Sequence, residues 1–183
     1  MKKIFWWAIG VVIVTGVIIA VGFLVWQSGQ NKDAGLVDGE REVRQADGEA
    51  ELRKIKLYFY NPENDKDEAG DVKCGRDGLV AVEREIPVSK TPIQDAINLL
   101  LEGGLNQVER EAGITTEFPL AGVELKGVNL QDGVLTLEFA DPGNKTSGGA
   151  CRAGILWFQI EATAKQFEGV AEVRFTPETL FQP

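Results

Sequence analysis

Val123-Glu124-Leu125-Lys126-Gly127-Val128-Asn129-Leu130-Gln131-Asp132-Gly133-Val134-Leu135-Thr136-Leu137-Glu138-Phe139 decides the fold. Two alternating runs flank Asp132-Gly133, a pair that tolerates the positive φ values of a two-residue hairpin turn. Strands are predicted over 123–130 and 134–139, with Leu135, Leu137 and Phe139 on one face.

Downstream of the hairpin lies a polar, glycine-containing loop from Asp141 to Gly149. A helix is predicted from Ala150 to Phe167, because Ala153, Trp157, Ile160, Ala164 and Phe167 recur at spacings of four and three. Gly169 stops it, and Val170 to Phe175 reads as a last strand. Upstream, Thr91-Pro92-Ile93-Gln94 is a helix start: Thr91 can cap, Pro92 suits the first turn, and Gln94 completes a capping box. Ile93, Ala96, Ile97 and Leu100 follow at helical spacing, and Gly103-Gly104 ends the element. Residues 106–112 add a short helical turn. Lys54 to Tyr60 alternates and is rich in aromatics, which predicts a strand. A charged loop, Asn61 to Gly78, separates it from a second strand over Leu79 to Ile86, with Val80, Val82 and Ile86 on one face. The order is β-β-α-β-β-α-β. The natural packing is α+β: a mixed sheet with two helices on one face.

Residues 54–183 form this domain, about 130 residues and long enough for its own core. Residues 27–53 read as a flexible polar linker with few large apolar side chains. Residues 1–26 differ in kind. Ile4 to Trp26 is 23 residues without a charge, and a helix of that length spans about 34 Å, enough to cross a bilayer. Lys2 and Lys3 precede it and an acidic stretch follows, so the N-terminus is expected inside and the domain outside. Trp6, Trp7 and Trp26 sit near its two ends, as interfacial rings do. A cleaved signal peptide would have a shorter apolar run and a small-x-small site; Val25-Trp26-Gln27-Ser28-Gly29 lacks one. No cysteine near that point offers a lipid attachment. The expectation is a single-pass cell-membrane protein with its domain on the extracytoplasmic side.

Charge excludes some partners. With Lys2 and Lys3 set aside, 17 of the 19 Lys and Arg remain against 28 Asp and Glu. Such a domain repels phosphate backbones, so no nucleic-acid partner is expected. The chain has no histidine, which removes the commonest general base and the commonest metal ligand.

Several segments taken together are similar to a known family. They are Leu57-Tyr58-Phe59-Tyr60-Asn61, Arg84-Glu85-Ile86-Pro87, the helix Pro92 to Gly103, Leu135 to Phe139, Ser147-Gly148-Gly149, the helix Ile160 to Phe167, and Gly169-Val170-Ala171-Glu172-Val173-Arg174-Phe175. In order and spacing they resemble the GerMN domain of GerM-type sporulation and spore-germination proteins, over roughly Ile55 to Thr176. The resemblance implies an extracytoplasmic α+β domain, related in fold to ring-building modules of secretion-type assemblies. It implies a cell-envelope role through protein contacts or assembly near peptidoglycan, and supplies no catalytic residues. Typical members are lipoproteins, often with two copies of the domain; here a helix anchor and one copy are read.

Four constellations could carry chemistry. Cys74 and Cys151 are the only cysteines, and an oxidising compartment permits a structural disulfide between them. The alternative is a reactive thiol, since Cys151 stands near a helix start beside Arg152. The loop Ser147-Gly148-Gly149 with Arg152 could present N–H groups and a cation to an anion. It lacks the P-loop ending, and a Ser or Thr helix cap, far commoner than an anion site, is the preferred explanation. Glu63, Asp65, Asp67, Glu68 and Asp71 crowd one loop, but Ala69 and Arg76 break the calcium-loop pattern, and a solvated loop is expected. Glu83, Glu85, Glu117 and Glu138 could supply paired carboxylates for glycoside hydrolysis.

The first reading is a non-enzymatic envelope module that binds or assembles with proteins, with no cofactor and no metal. A peptidoglycan- or carbohydrate-binding domain is the alternative, and an exposed aromatic cleft would favour it. A carboxylate-based hydrolase is the third, and two buried carboxyl groups facing across a pocket would favour that.

Overall fold

The computed structural model describes residues 51–182. The expected membrane helix over residues 4–26, and the expected linker as far as residue 50, lie outside them. Among the described residues no helix is long and apolar enough to cross a membrane.

The elements are β1 (Leu52–Tyr60), β2 (Leu79–Pro87), α1 (Pro92–Leu101), α2 (Gln107–Glu111), β3 (Glu124–Gln131), β4 (Val134–Ala140), α3 (Ala150–Lys165) and β5 (Glu172–Thr176). The described residues form a mixed α+β fold with three α-helices. One mixed sheet was expected; the strands instead form two. β1 and β2 make an antiparallel pair, and β3-β4-β5 make a sheet in which β3 and β4 run antiparallel and β4 and β5 parallel. β1 begins two residues earlier than alternation predicts, because Leu52 and Arg53 still have partners in Pro87 and Ile86.

The sheet divides because side chains take the place of a neighbouring strand along the outer edge of β1. Residues 56, 58 and 60 turn their backbone groups away from β2. The Lys56 N–H donates to Gln166 Oε1 at 2.7 Å, and the Gln166 amide donates to the Lys56 carbonyl at 2.6 Å. The Tyr58 N–H donates to the Thr163 hydroxyl at 3.0 Å. Tyr60 exchanges backbone bonds with Thr115, its N–H donating at 3.3 Å and its carbonyl accepting at 2.7 Å. A strand edge satisfied in this way is closed to further pairing.

The hairpin forms as its sequence requires. Asp132 has φ 50° and Gly133 φ 83°, the left-handed pair of a tight turn. The Gly133 carbonyl then accepts from both Ala171 (2.8 Å) and Glu172 (3.0 Å), which starts β5 beside β4. That fixes the beginning of β5 at Glu172 rather than Val170.

Both sheets share one core. Ile55, Leu57 and Phe59 of β1 meet Leu135, Leu137 and Phe139 of β4 around Ile97, Leu100, Leu156 and Ile160. The buried face of α3 is wider than the predicted stripe. Leu156, Gln159, Thr163 and Glu161 are buried with Ala153, Ile160 and Ala164, while Trp157 and Phe167 lie half-buried at its flanks. Neighbours on several sides explain the width. The expected capping box of α1 is absent: Thr91 has ψ 49° and makes no side-chain cap. Ser89 takes over one half of it, accepting the Thr91 N–H at 3.1 Å, and donates to the Asp95 carboxylate. A true capping box forms at α2, between Asn106 and Glu109.

Replacing Thr163 by Val keeps the shape but leaves the Tyr58 N–H without its buried acceptor. Thr163 is fully buried, so unfolding in urea should show a loss of about 1–3 kcal/mol. Gln166→Ala exposes the Lys56 groups to water instead, and should lose only about 0.5–1.5 kcal/mol.

Candidate functional site

Helix α3 organises two surface features. It receives the loop between β1 and β2. Cys74 and Cys151 are joined in a disulfide, with Cα atoms 5.1 Å apart. Two residues on, the Arg76 guanidinium lies 4.2 Å from the centroid of the Phe158 ring and pairs with Glu161. Lys165 binds the same carboxylate at 2.6 Å. Burial pushes the Glu161 carboxyl up, but Lys165 and Arg76 outweigh it and hold the group below its usual range.

This loop was expected to be solvated. It is instead built around one buried carboxylate, Asp65, which has no exposed surface. The Tyr60 hydroxyl donates to Asp65 Oδ2, and the Gly75 N–H donates to the same oxygen at 2.5 Å. Lys73 Nζ stands 3.6 Å from Oδ1, and the Lys73 N–H donates to the Asp65 carbonyl at 2.8 Å. The Tyr60 hydroxyl, chiefly, holds the Asp65 carboxyl below the usual range against the effect of burial, and Gly75 and Lys73 assist. Burial and Asp65 together push the Tyr60 phenol up. Gly78 lets the ring approach: a Cβ there would lie 2.3 Å from Tyr60 Cε2. Outside this hub, Asp67 accepts from the N–H groups of Ala69 and Asp71, both at 2.9 Å. Among the described residues no cluster of three or more acidic or Cys side chains could hold a metal ion.

The loop before α3 is also held from within. Asp141 accepts from the Lys145 N–H, the Thr146 N–H and the Thr146 hydroxyl, each at 2.8 Å. Arg152, read as a possible anion ligand, reaches back into its own loop. It donates to Glu117 at 2.5 Å, to the Lys145 carbonyl at 2.8 Å, and to the Ser147 carbonyl. Gly149, with φ 92°, is the N-cap of α3 and supplies no side-chain cap. The Ser or Thr cap expected there does not form: Thr146 is turned to Asp141, and Ser147 donates to the Asn144 carbonyl at 3.0 Å.

Beside Trp157 of α3 lies an open groove of about 760 Å³. Its lining is Ser147, Trp157, Arg174, Phe175, Glu178, Thr179 and Gln182. Phe175 forms its floor and meets Trp157 edge to face, with ring centroids 4.6 Å apart. The segment after β5 forms one bank. Leu180 and Phe181 are buried, and Phe181 packs on Phe139 and Phe175 at 5.5 and 4.8 Å. Those anchors leave Glu178, Thr179 and Gln182 exposed along the groove.

The four carboxylates considered for hydrolysis are all exposed. Glu83 and Glu85 stand on β2, Glu138 on β4, and Glu117 is engaged with Arg152.

The family described as "Germane: Sporulation and spore germination" matches residues 56–178. The chain belongs to this family. Among solved structures, this Germane chain is similar to the tandem GerMN domains of the sporulation protein GerM from Bacillus subtilis. Identity is 20%, with a TM-score of 0.49, covering 83% of this chain and 45% of that one. It is also similar to the first GerMN domain of the same protein, at 18% identity and a TM-score of 0.43, covering 66% and 80%. The Germane chain thus spans less than half the length of the tandem structure. No curated protein matches it.

Sequence reasoning missed three features of this Germane domain. Nothing in the spacing of Tyr60 and Asp65 announced a buried pair. Arg76 was read only as a break in a calcium pattern. Leu180-Phe181 did carry a signal, an apolar pair after the last strand, but it was not counted as core.

Reduction should lower stability by an amount that grows with the logarithm of the loop it frees. A separation of 77 residues corresponds to about 4 kcal/mol in the chain-entropy account. Native protein should show no reactive thiol and two after reductant; two free thiols without reductant would refute the bridge. Asp65 also sets an acid response. Its folded pKa is depressed, so its contribution is present above the ordinary Asp value of about 3.9 and is lost as pH falls through the lower folded value. Asp65→Asn should melt lower at neutral pH. Its stability should also fall less between about pH 4 and pH 2 than that of the unmodified chain.

Proposed function

We propose that this chain is a membrane-tethered, extracytoplasmic interaction module of the bacterial cell envelope, non-enzymatic, and serving a sporulation- or germination-type process. The family gives the process in coarse form. The observation that carries the location is the Cys74–Cys151 disulfide, a bond that persists in oxidising compartments and is rare in the cytosol. The charge-free run of 23 residues from Ile4 to Trp26, with Lys2 and Lys3 before it, agrees with a helix anchor whose far end leads outward. Binding is favoured over hydrolysis because Glu83, Glu85, Glu117 and Glu138 are all exposed, whereas a carboxyl that acts as general acid relies on burial to raise its pKa.

Protease treatment of intact protoplasts tests the topology. The domain should be digested while a cytoplasmic control survives, and the chain should stay in the membrane pellet after alkaline washing. Full protection of the domain, or release of the chain by alkali, would overturn the tethered reading. Crosslinking in the same protoplasts should trap the chain with itself or with another envelope protein; a monomer under all conditions would count against an interaction role.

A further inference from the structure

The groove beside Trp157 has chemistry that the family assignment does not use. We propose that it binds a neutral sugar chain. The inference deepens the reading of the domain as an extracytoplasmic binding module, because it names a ligand class that such a module meets.

Shape comes first. The space of about 760 Å³ falls within the range of ligand sites, about 300–1,000 Å³. It is an open groove rather than an enclosed cavity, so a chain can pass through it. Its walls are preorganised. Asp141 and Arg152 brace the loop that carries Ser147, and buried Leu180 and Phe181 brace the segment that carries Thr179 and Gln182. Rigid walls lower the ordering cost of binding.

Chemistry then selects the ligand. Trp157 is half-buried and held edge-on by Phe175, and it offers an amphipathic aromatic surface to the groove. Around it stand two hydroxyls and an amide: Ser147, Thr179 and Gln182. These serve as donors and acceptors alike. The two charged groups offset each other. Arg174 is already bound by Glu172 at 2.7 Å, and Glu178 adds a second negative charge within Coulombic reach. An anionic ligand would find the one cation occupied, on a chain of net charge −9. A cationic peptide would compete with Arg174 for Glu178. A ring with one apolar face and a polar rim, without charge, meets no such penalty.

Titration calorimetry on the full chain in lipid nanodiscs, with chitotetraose and cellotetraose as probes, tests this. Saturable binding of either, weakened at least about tenfold by Trp157→Ala, is the expected result. Trp157 also packs on Phe175, so the pair Thr179→Ala and Gln182→Ala, both exposed, provides a second test that spares the core; it too should weaken binding. Absence of heat with both sugars would overturn the proposal. Binding that both variants leave unchanged would overturn it as well, by placing the sugar elsewhere. Binding of a tri-lysine or tri-glutamate peptide in preference to either sugar would show that charge is read, and would also overturn it. The assay is indifferent to which side of a membrane the domain occupies, so its failure is distinct from failure of the protoplast experiment.

Discussion

The bond between the Tyr58 N–H and the Thr163 hydroxyl, with its neighbour between Lys56 and Gln166, seats helix α3 along the open edge of β1. A strand edge in a small domain needs partners, since unpaired backbone groups buried from water are costly. Here the partners are side chains of a helix. The consequence is that two sheets share one core without merging, and α3 lies against β1 while bridging β4 to β5. Everything described at the surface depends on where that helix lies.

Its residues have different tasks. Cys151, Phe158 and Glu161 take up the loop from residue 61 to residue 78 through a covalent bond, a cation–π contact and an ion pair. Asp65 makes that loop a body in its own right, because a buried carboxylate has to gather donors and finds them in Tyr60 and Gly75, with the Lys73 ammonium 3.6 Å away. The disulfide therefore joins two structured pieces rather than a loose loop and a helix. Trp157, one turn before Glu161 on the same helix, is left to face the groove with Phe175 beneath it.

Arg152 shows how a local motif and a packed structure can part ways. A glycine loop entering a helix beside an arginine has the ingredients of an anion site. In the folded chain two carbonyls of the loop and Glu117 use the guanidinium. The same bonds hold Ser147 at the rim of the groove, so the loop contributes to a surface through its rigidity rather than through its cation. A similar shift occurs at α1, where the Thr91 N–H that Gln94 was expected to bind goes to Ser89 and no side chain caps the first turn.

The sequence by itself determined the elements. Asp132-Gly133 between alternating runs could only be a tight hairpin, because few residues accept two positive φ values in succession. Helical spacing around Ile97 and Ile160 named the two main helices, and the even cysteine count raised the disulfide as an option. Tertiary structure alone decided how those elements share edges. Which strand lies beside which, and whether a helix side chain can stand in for a strand, depend on contacts between residues about a hundred positions apart, such as Lys56 and Gln166. Periodicity is local and reports which face of an element is apolar. It carries no record of the edge, where the backbone groups look alike in every residue and only their neighbours in space tell them apart.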